Sequence, residues 1–202
     1  MSENIKLSSL SCDEFTKKIA STEPAPGGGG AAAMTGAIAI ALADMVCEFT
    51  IGKKKYADVE DRAKELQKRS LEIRARLIEL IDEDAENFEP LSRAYSIPKD
   101  DQGRDEEMER CLRLAVKAPL EIFDLCAESV KILRELELIG SRIIVSDAYT
   151  GSSLAEAALE SAAINVKVNT KLMKDREYAD KADKHLEETM NELFSYINAQ
   201  EE

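Results

Sequence analysis

The chain has 202 residues, a mass of 22.3 kDa and a formal net charge of −13, from 27 basic and 40 acidic side chains. This length predicts one domain, residues 1–202, whose core is large enough to fold without disulfides. The acidic balance disfavours nucleic acids and anionic membrane surfaces as partners, because both carry negative charge themselves.

Cysteine and histidine usage argues against a metal site. The cysteines are Cys12, Cys47, Cys111 and Cys126, and the single histidine is His185. None of these spacings matches a set of zinc ligands, so we expect no bound metal. The N-terminus lacks a charged segment followed by an apolar one, which predicts no secretory signal and a cytoplasmic location.

The first predicted helix begins after Ser11, which has capping-box spacing with Glu14. Residues 24–30, rich in proline and glycine, are expected to be irregular. Residues 31–51 are almost all small and apolar. Their purest run, 31–43, is too short to span a bilayer, so we predict a central helix with closely packed neighbours.

The remaining elements are also predicted as helices, because apolar residues recur every three or four positions. A helix over 57–89 should end at Pro90, with a loop from Pro90 to Gly103. Residues 105–138 should form a helix that Pro119 kinks or splits and Gly140 ends. Residues 141–150 are ambiguous, and 142–145 are compatible with a short strand. Two helices follow over 152–173 and 175–199. The fold class is all-α: one bundle of long helices around the Ala-rich element.

Asp84 is the first candidate for chemistry. It lies on the helical stripe that otherwise holds Leu77, Ile81 and Phe88. A carboxylate on an apolar face is costly to bury unless it is paired or used. The structural interpretation is a buried salt bridge or a helix edge that opens to solvent, and the functional one is a general acid/base whose pKa is tuned by burial. For Asp44, the one ionisable residue between Ala31 and Cys47, we expect pairing with a lysine or arginine.

Two further segments suggest ligand contacts. Gly27, Gly28, Gly29 and Gly30 run directly into the central helix, where exposed N–H groups can bind an anion or approach a flat ligand. The alternative is a flexible linker. Lys53, Lys54 and Lys55, the one basic cluster, follow the same helix, and are either a solvated helix end or a clamp for ligand carboxylates.

Polar residues near the second small-residue helix complete the candidates. Asn165 and Asn169 lie four residues apart on an Ala-rich face, where amides need hydrogen-bond partners. Interhelical hydrogen bonds and ligand contact are equally good explanations. Asp147 precedes this helix as a turn or capping residue. His185 lies alone on a core stripe and is expected to be structural.

Several sequence blocks resemble a known family. They occur in order over nearly the whole chain, at residues 24–33 (PAPGGGGAAA), 52–56 (GKKKY), 84–88 (DAENF), 118–119 (AP), 146–147 (SD) and 162–169 (AAINVKVN). Together they closely resemble the cyclodeaminase/cyclohydrolase family of folate one-carbon metabolism. The chain is similar to a free-standing form of the domain that animal enzymes fuse to a formiminotransferase.

The resemblance implies an all-helical, homodimeric enzyme acting on tetrahydrofolate, with no other cofactor. A cyclohydrolase interconverts 5,10-methenyltetrahydrofolate and 10-formyltetrahydrofolate, whereas a cyclodeaminase closes 5-formiminotetrahydrofolate and releases ammonia. The family's active-site aspartate maps to Asp84. Gly30 departs from the family pattern, where serine or alanine is frequent. We favour the cyclohydrolase, because no transferase half is attached. A non-catalytic helical assembly module remains the alternative from another class.

The expected mechanism gives each candidate a role. Asp84 is the acid/base. Lys54, together with Lys53 and Lys55, is expected to bind the glutamate tail of the folate, which can be a polyglutamate, or to stabilise developing negative charge. The residues expected to contact the substrate are Pro26, Gly27, Gly28, Gly29, Gly30, Asp147, Asn165 and Asn169. A non-catalytic module predicts no pocket near Asp84 and a disordered, exposed glycine run.

Overall fold

A computed structural model describes residues 6–201, with side chains for residues 6–199. These residues form helices and no strand, as the all-α prediction requires. Their α-helices are α1 (Cys12–Ile19), α2 (Gly28–Thr50), α3 (Glu60–Ala94), α4 (Arg104–Ala115), α5 (Lys117–Ile139), α6 (Val145–Thr170) and α7 (Arg176–Glu201), with short 3-10 turns at Leu7–Ser9 and Lys54–Tyr56. The strand considered for 142–145 does not form: the chain turns there and enters α6.

Helix α2 is the centre of the bundle and packs against α3, α5 and α6. Its alanines allow this close approach, and a Cβ on Gly36 would lie 2.8 Å from the Sγ of Cys126. Helix α2 is long and apolar enough to cross a membrane, with a mean hydropathy of 1.7, yet 56% of that window is buried inside the bundle. The prediction of a central Ala-rich helix is confirmed.

The expectation that residues 24–30 are irregular is wrong for the last three glycines. Helix α2 begins at Gly28, and Gly27 is its N-cap, accepting a 3.0 Å hydrogen bond from the N–H of Ala31. Tertiary packing overrides the low helix propensity of glycine here, because Gly29 and Gly30 are buried where larger residues would meet their neighbours. The glycines are therefore the first turn of the core helix.

Helix α3 also departs from expectation, because it continues past Pro90 to Ala94 over 35 residues. Proline removes the hydrogen bond to the carbonyl four residues earlier, that of Glu86. The buried Leu91 and Ala94 hold the last turn of α3 on the core in spite of this loss.

Helix α6 begins at Val145 rather than at the predicted residue 152, whereas the remaining helix boundaries follow the sequence closely. Ser11 and Glu14 form the predicted capping box of α1. Helices α4 and α5 separate at Val116, and Pro119 falls in the first turn of α5, where its missing N–H costs nothing. Gly140 ends α5 as predicted. Asp44 pairs with Arg74 at 3.2 Å, which confirms the structural role expected for it.

Helices α3 and α5 are aligned by a regular series of ion pairs. Arginines seven residues apart on α3 each hold a glutamate of α5 through two hydrogen bonds. The pairs are Arg62–Glu135, Arg69–Glu128 and Arg76–Glu121. Exposed pairs contribute little stability individually, but their repeat fixes the register of the helices that carry Asp84 and Pro119.

Candidate active site

The candidate site is a cavity of about 140 Å³ where the N-terminus of α2 meets α3, α5 and α6. The α2 glycines form one wall and Asp84 of α3 another. The full lining is Pro24, Ala25, Gly27, Gly28, Gly29, Asp84, Phe88, Ala115, Pro119, Asn165, Val168 and Asn169. Residues distant in sequence thus converge on one hollow, as in small-molecule sites.

Asp84 lies against the first turn of α2, in a space that exists because residue 29 is glycine. A Cβ on Gly29 would clash with both carboxylate oxygens of Asp84. The partly positive N-terminus of a helix attracts an anion, and the backbone N–H of Gly30 donates toward the carboxylate. Gly29 therefore leaves the space that the Asp84 carboxylate occupies, in addition to lining the cavity.

Burial dominates the electrostatics of Asp84. Loss of solvent raises the pKa of Asp84 to about 6, and the Gly30 N–H offsets part of that rise. Within residues 6–199 no cation forms an ion pair with this carboxylate. The buried salt bridge considered for Asp84 is therefore wrong. A carboxyl group with a pKa near 6 exchanges a proton readily near neutral pH, as acid/base catalysis requires.

Asn165 and Asn169 line the cavity with their side-chain amides. The side-chain N–H of Asn165 donates to the carbonyl of Ser161 at 2.8 Å, and that of Asn169 donates to the carbonyls of Asn165 and Ala115 at 3.0 and 3.4 Å. Asn169 thus uses both of its N–H donors, whereas Asn165 uses one of its two, and each side chain keeps its oxygen as an acceptor. Together with Asp84 they favour a cationic or N–H-bearing ligand group.

Two predicted contact residues lie behind the cavity wall. Pro26 is buried, and a Cβ on Gly30 would lie 3.3 Å from the Pro26 Cβ. Neither residue lines the cavity. Their role is to support the first turn of α2 from below.

Four predicted site residues lie at the opposite end of α2. Lys53, Lys54 and Lys55 follow its C-terminus, and Asp147 lies in the first turn of α6 near that end. The 23 residues of α2 separate the lysines from the glycines by about 34 Å, far beyond the reach of a lysine side chain. Within one chain the lysines therefore do not join the Asp84 cavity.

Sequence reasoning did not assign the apolar wall of the cavity. Phe88 lies one helical turn after Asp84, and Val168 lies between the two asparagines. Phe88 lies on the apolar stripe and in the family block 84–88, and Pro119 lies in the block 118–119, but neither pattern assigns a ligand contact to them. The positions of Phe88, one turn after Asp84, and of Val168, between Asn165 and Asn169, were the sequence features that could have indicated a place in the site. The packing of α3, α5 and α6 brings these residues together with Pro119.

A larger groove of about 670 Å³ adjoins the cavity and shares Pro24, Ala25 and Phe88 with it. Its charged lining is mostly acidic, with Glu23, Asp82, Glu86 and Glu89 against Lys6 and Lys18. Lys18 is paired with Glu23. This groove can extend the space for an apolar ligand body, but its charge disfavours an anionic tail.

Among the described residues, no group of three or more His, Cys, Asp or Glu side chains is placed to hold a metal.

The fold and the cavity define an all-helical protein with a small-molecule site, whose lining contains one carboxyl group, that of Asp84, with a raised pKa. The sequence model of the Formiminotransferase-cyclodeaminase family matches residues 11–188. The chain therefore belongs to that family, as the sequence blocks had indicated.

Individual relatives agree with this assignment. The chain is 38% identical to methenyltetrahydrofolate cyclohydrolase of Methylorubrum extorquens over 87% of this chain and 86% of that protein. It is 32% identical to the pig formimidoyltransferase-cyclodeaminase over 80% of this chain, which corresponds to 30% of the pig enzyme. The crystal structure of formiminotetrahydrofolate cyclodeaminase from Thermotoga maritima superimposes with a TM-score of 0.84, at 27% identity, covering 96% of this chain and 97% of the other.

Proposed function

We propose that the protein is a methenyltetrahydrofolate cyclohydrolase, which adds water to 5,10-methenyltetrahydrofolate to give 10-formyltetrahydrofolate. The observation that carries this proposal is the Asp84 carboxyl group, which lies in the cavity with a pKa of about 6 and has no pairing cation among the described residues. The near full-length similarity to the M. extorquens cyclohydrolase supports it.

The geometry suits the charge of this substrate. The methenyl bridge carries a positive charge shared between N5 and N10, and the cavity that would receive it is lined by the Asp84 carboxylate and the amides of Asn165 and Asn169. Ionised Asp84 attracts the bridge and takes a proton from a water that attacks the bridging carbon. The same carboxyl group then protonates N5 as the bond from N5 to that carbon breaks. The products are 10-formyltetrahydrofolate and one proton released to solvent.

The second candidate is formiminotetrahydrofolate cyclodeaminase, supported by the family model and the T. maritima structure. In this reaction N10 attacks the carbon of the formimino group, which is bound in its protonated, cationic form, and Asp84 accepts the N10 proton. Asp84 then protonates the departing nitrogen, which leaves as ammonia and yields the methenyl bridge. One carboxyl group serves both reactions, because each requires one proton to be taken and one to be returned.

The structure disagrees with what a non-catalytic module predicts. Asp84 has a cavity beside it, and Gly28, Gly29 and Gly30 form a helical turn that is partly buried rather than a disordered linker. The proposal retains a homodimer and a cytoplasmic location. Unpaired Cys12, Cys47, Cys111 and Cys126 are consistent with a reducing compartment.

The decisive experiment supplies the two substrates separately to the purified protein. We expect loss of methenyl absorbance without ammonia when 5,10-methenyltetrahydrofolate is given. Ammonia release with appearance of the methenyl chromophore from 5-formiminotetrahydrofolate would establish the second candidate instead. Turnover of neither substrate would refute both. The Asp84→Asn variant is the control for enzyme-dependent turnover in each assay.

A further inference from the structure

We infer that a second copy of this chain packs antiparallel on the outer face of α2 and α6, and that its lysines 53–55 complete the Asp84 cavity. This inference rests on the proposed function for the identity of the ligand, a folate whose tail is anionic. It assigns the lysines to the neighbouring subunit's site rather than to the site of their own chain.

The first observation is an uncharged outer face on two neighbouring helices, here named the α2/α6 face. Ile38, Ile164 and Val168 on it are 51%, 62% and 57% exposed. Its outward positions are Ala31, Thr35, Ile38, Leu42, Met45 and Phe49 of α2 and Ala157, Ser161, Ile164, Val168 and Leu172 on and just after α6. The exposed charged residues of this region, Glu48 of α2 and Glu160, Lys167 and Lys171 on and just after α6, lie beside this apolar stripe. Such a patch is typical of a protein interface.

The size of the α2/α6 face suits a second copy. Helix α2 has 23 residues, so the face is about 34 Å long and, with two helices side by side, about 20 Å wide. The footprint is roughly 700 Å² per copy, against ~800 Å² per partner in a stable interface of standard size. A surface that pairs with itself about a two-fold axis is the commonest arrangement of soluble oligomers.

The second observation is that this face is continuous with the site. A shallow hollow of about 280 Å³ at its glycine end is lined by Ala31, Thr35, Ser161 and Ile164, and it shares Gly28 and Asn165 with the Asp84 cavity. A molecule seated on the face therefore covers the mouth of the cavity. The enclosed cavity, at about 140 Å³, is too small for a whole folate, so the rest of the ligand has to lie in spaces that open from it.

The third observation is the separation of the predicted site residues. Asp84, Asn165 and Asn169 lie at one end of α2, and the lysines 53–55 lie about 34 Å away at the other. All three lysines are exposed, and within the described residues none forms an ion pair with a carboxylate. The ammonium of Lys55 lies 5.5 Å from the centre of the Tyr56 ring, but no carboxylate of the described residues neutralises the three lysines. The lining of the cavity, in turn, contains no cation for an anionic tail.

The orientation of the two copies follows from charge. A two-fold axis parallel to α2 would bring two unpaired lysine triads to the same end, where like charges repel. An axis perpendicular to α2 runs the helices antiparallel and places each triad beside the partner's oxygen-lined cavity. Residues Lys53–Lys55 then lie where the tail of a folate leaves the cavity.

Subunit complementation tests the shared site directly. The two parent variants are Asp84→Asn and the triple variant Lys53→Ala/Lys54→Ala/Lys55→Ala, each expected to have low kcat/KM with polyglutamylated methenyltetrahydrofolate. In an antiparallel dimer, a mixed pair has one site with both defects and one site with none. Random 1:1 mixing should therefore restore about a quarter of wild-type activity. The matched control, Lys68→Ala/Lys99→Ala/Lys181→Ala, removes three exposed charges elsewhere and should keep wild-type kcat/KM.

The outcomes separate this inference from the proposed function. If the wild type is active and the mixture is no better than its parents, the shared site is refuted and the function stands. If the triple-lysine variant keeps the kcat/KM of the wild type, the shared site is also refuted. If the wild type turns over neither folate, the proposed function fails, and cross-linking then tests the antiparallel pairing without substrate.

The cross-linking arm uses Gly27→Cys with Lys54→Cys in a Cys12→Ser background, because Cys12 is the exposed native thiol and a Cβ at Gly27 meets open space. A short bis-maleimide cannot join the two thiols within one chain across about 34 Å. A covalent dimer from the double variant, with none from either single variant, supports the antiparallel pair. Dimers from Lys54→Cys alone indicate the parallel pair and overturn the inference, as does absence of any cross-linked dimer.

Discussion

Replacing Asp84 by asparagine should inactivate the enzyme and stabilise its fold. Asparagine keeps the size of the side chain and an acceptor for the Gly30 N–H but has no proton to exchange. We expect kcat to fall by roughly 10²–10⁴-fold, the usual contribution of a general acid/base. The change also removes a desolvated carboxylate that no cation compensates.

The magnitude of the stability gain follows from the pKa of Asp84, which is about 6 in the folded protein and about 3.9 in an unfolded chain. The folded state binds this proton more tightly, so wild-type stability is greatest below pH 4 and falls as the pH rises through 6. The full difference is about 3 kcal/mol at neutral pH. Since partial solvent access reduces it, we expect Asp84→Asn to gain about 1–3 kcal/mol above pH 7 and nothing near pH 4.

Urea unfolding of both proteins at pH 4, 5.5 and 7.5 measures this directly. The matched control is Glu86→Gln, an exposed carboxylate on the same helix, which should change stability by less than about 0.5 kcal/mol at every pH. If Asp84→Asn is destabilised at pH 7.5, or its gain does not depend on pH, the carboxylate is not held in a desolvated cavity. Full activity of the variant would exclude Asp84 as the acid/base.

Three further outcomes are expected. Gly29→Ala should lose as much activity as Asp84→Asn, because its Cβ would occupy the place of the carboxylate. Gly30→Ala should lose far less, because the nearest neighbour of its Cβ is Pro26 at 3.3 Å. Comparable kcat/KM values for the two alanine variants would contradict this. Wild-type kcat/KM should fall below a pH of about 6 as Asp84 is protonated, and a flat profile between pH 5 and 7.5 would remove the carboxylate from the chemistry. Gly151→Ala would place a Cβ 2.6 Å from a methyl of Leu133 and 3.1 Å from the backbone oxygen of Ala39, and should cost about 1–3 kcal/mol in urea unfolding. Wild-type stability would show that Leu133 moves aside without cost.

The placement of Asp84 shows how far local patterns determined the site. A carboxylate at a position of the apolar stripe had to turn toward the core, because a helix repeats its faces every three or four residues. The same periodicity predicted the helices and the small-residue packing of α2. It failed at Gly28–Gly30 and at Pro90, where packing on the core outweighs a helix propensity that is poor in isolation.

The sequence by itself determined that this is an all-helical, acidic protein with a carboxyl group aimed inward and a family signature spread along the chain. Only the tertiary structure decided which candidates meet. Gly29 and Asp84, 55 positions apart, touch because α2 and α3 pack side by side, while Lys54, only 25 positions after Gly29, lies a full helix length away. A helix converts short sequence distances into long spatial ones, and packing does the reverse, so periodicity alone cannot assign residues to the ends of a bundle.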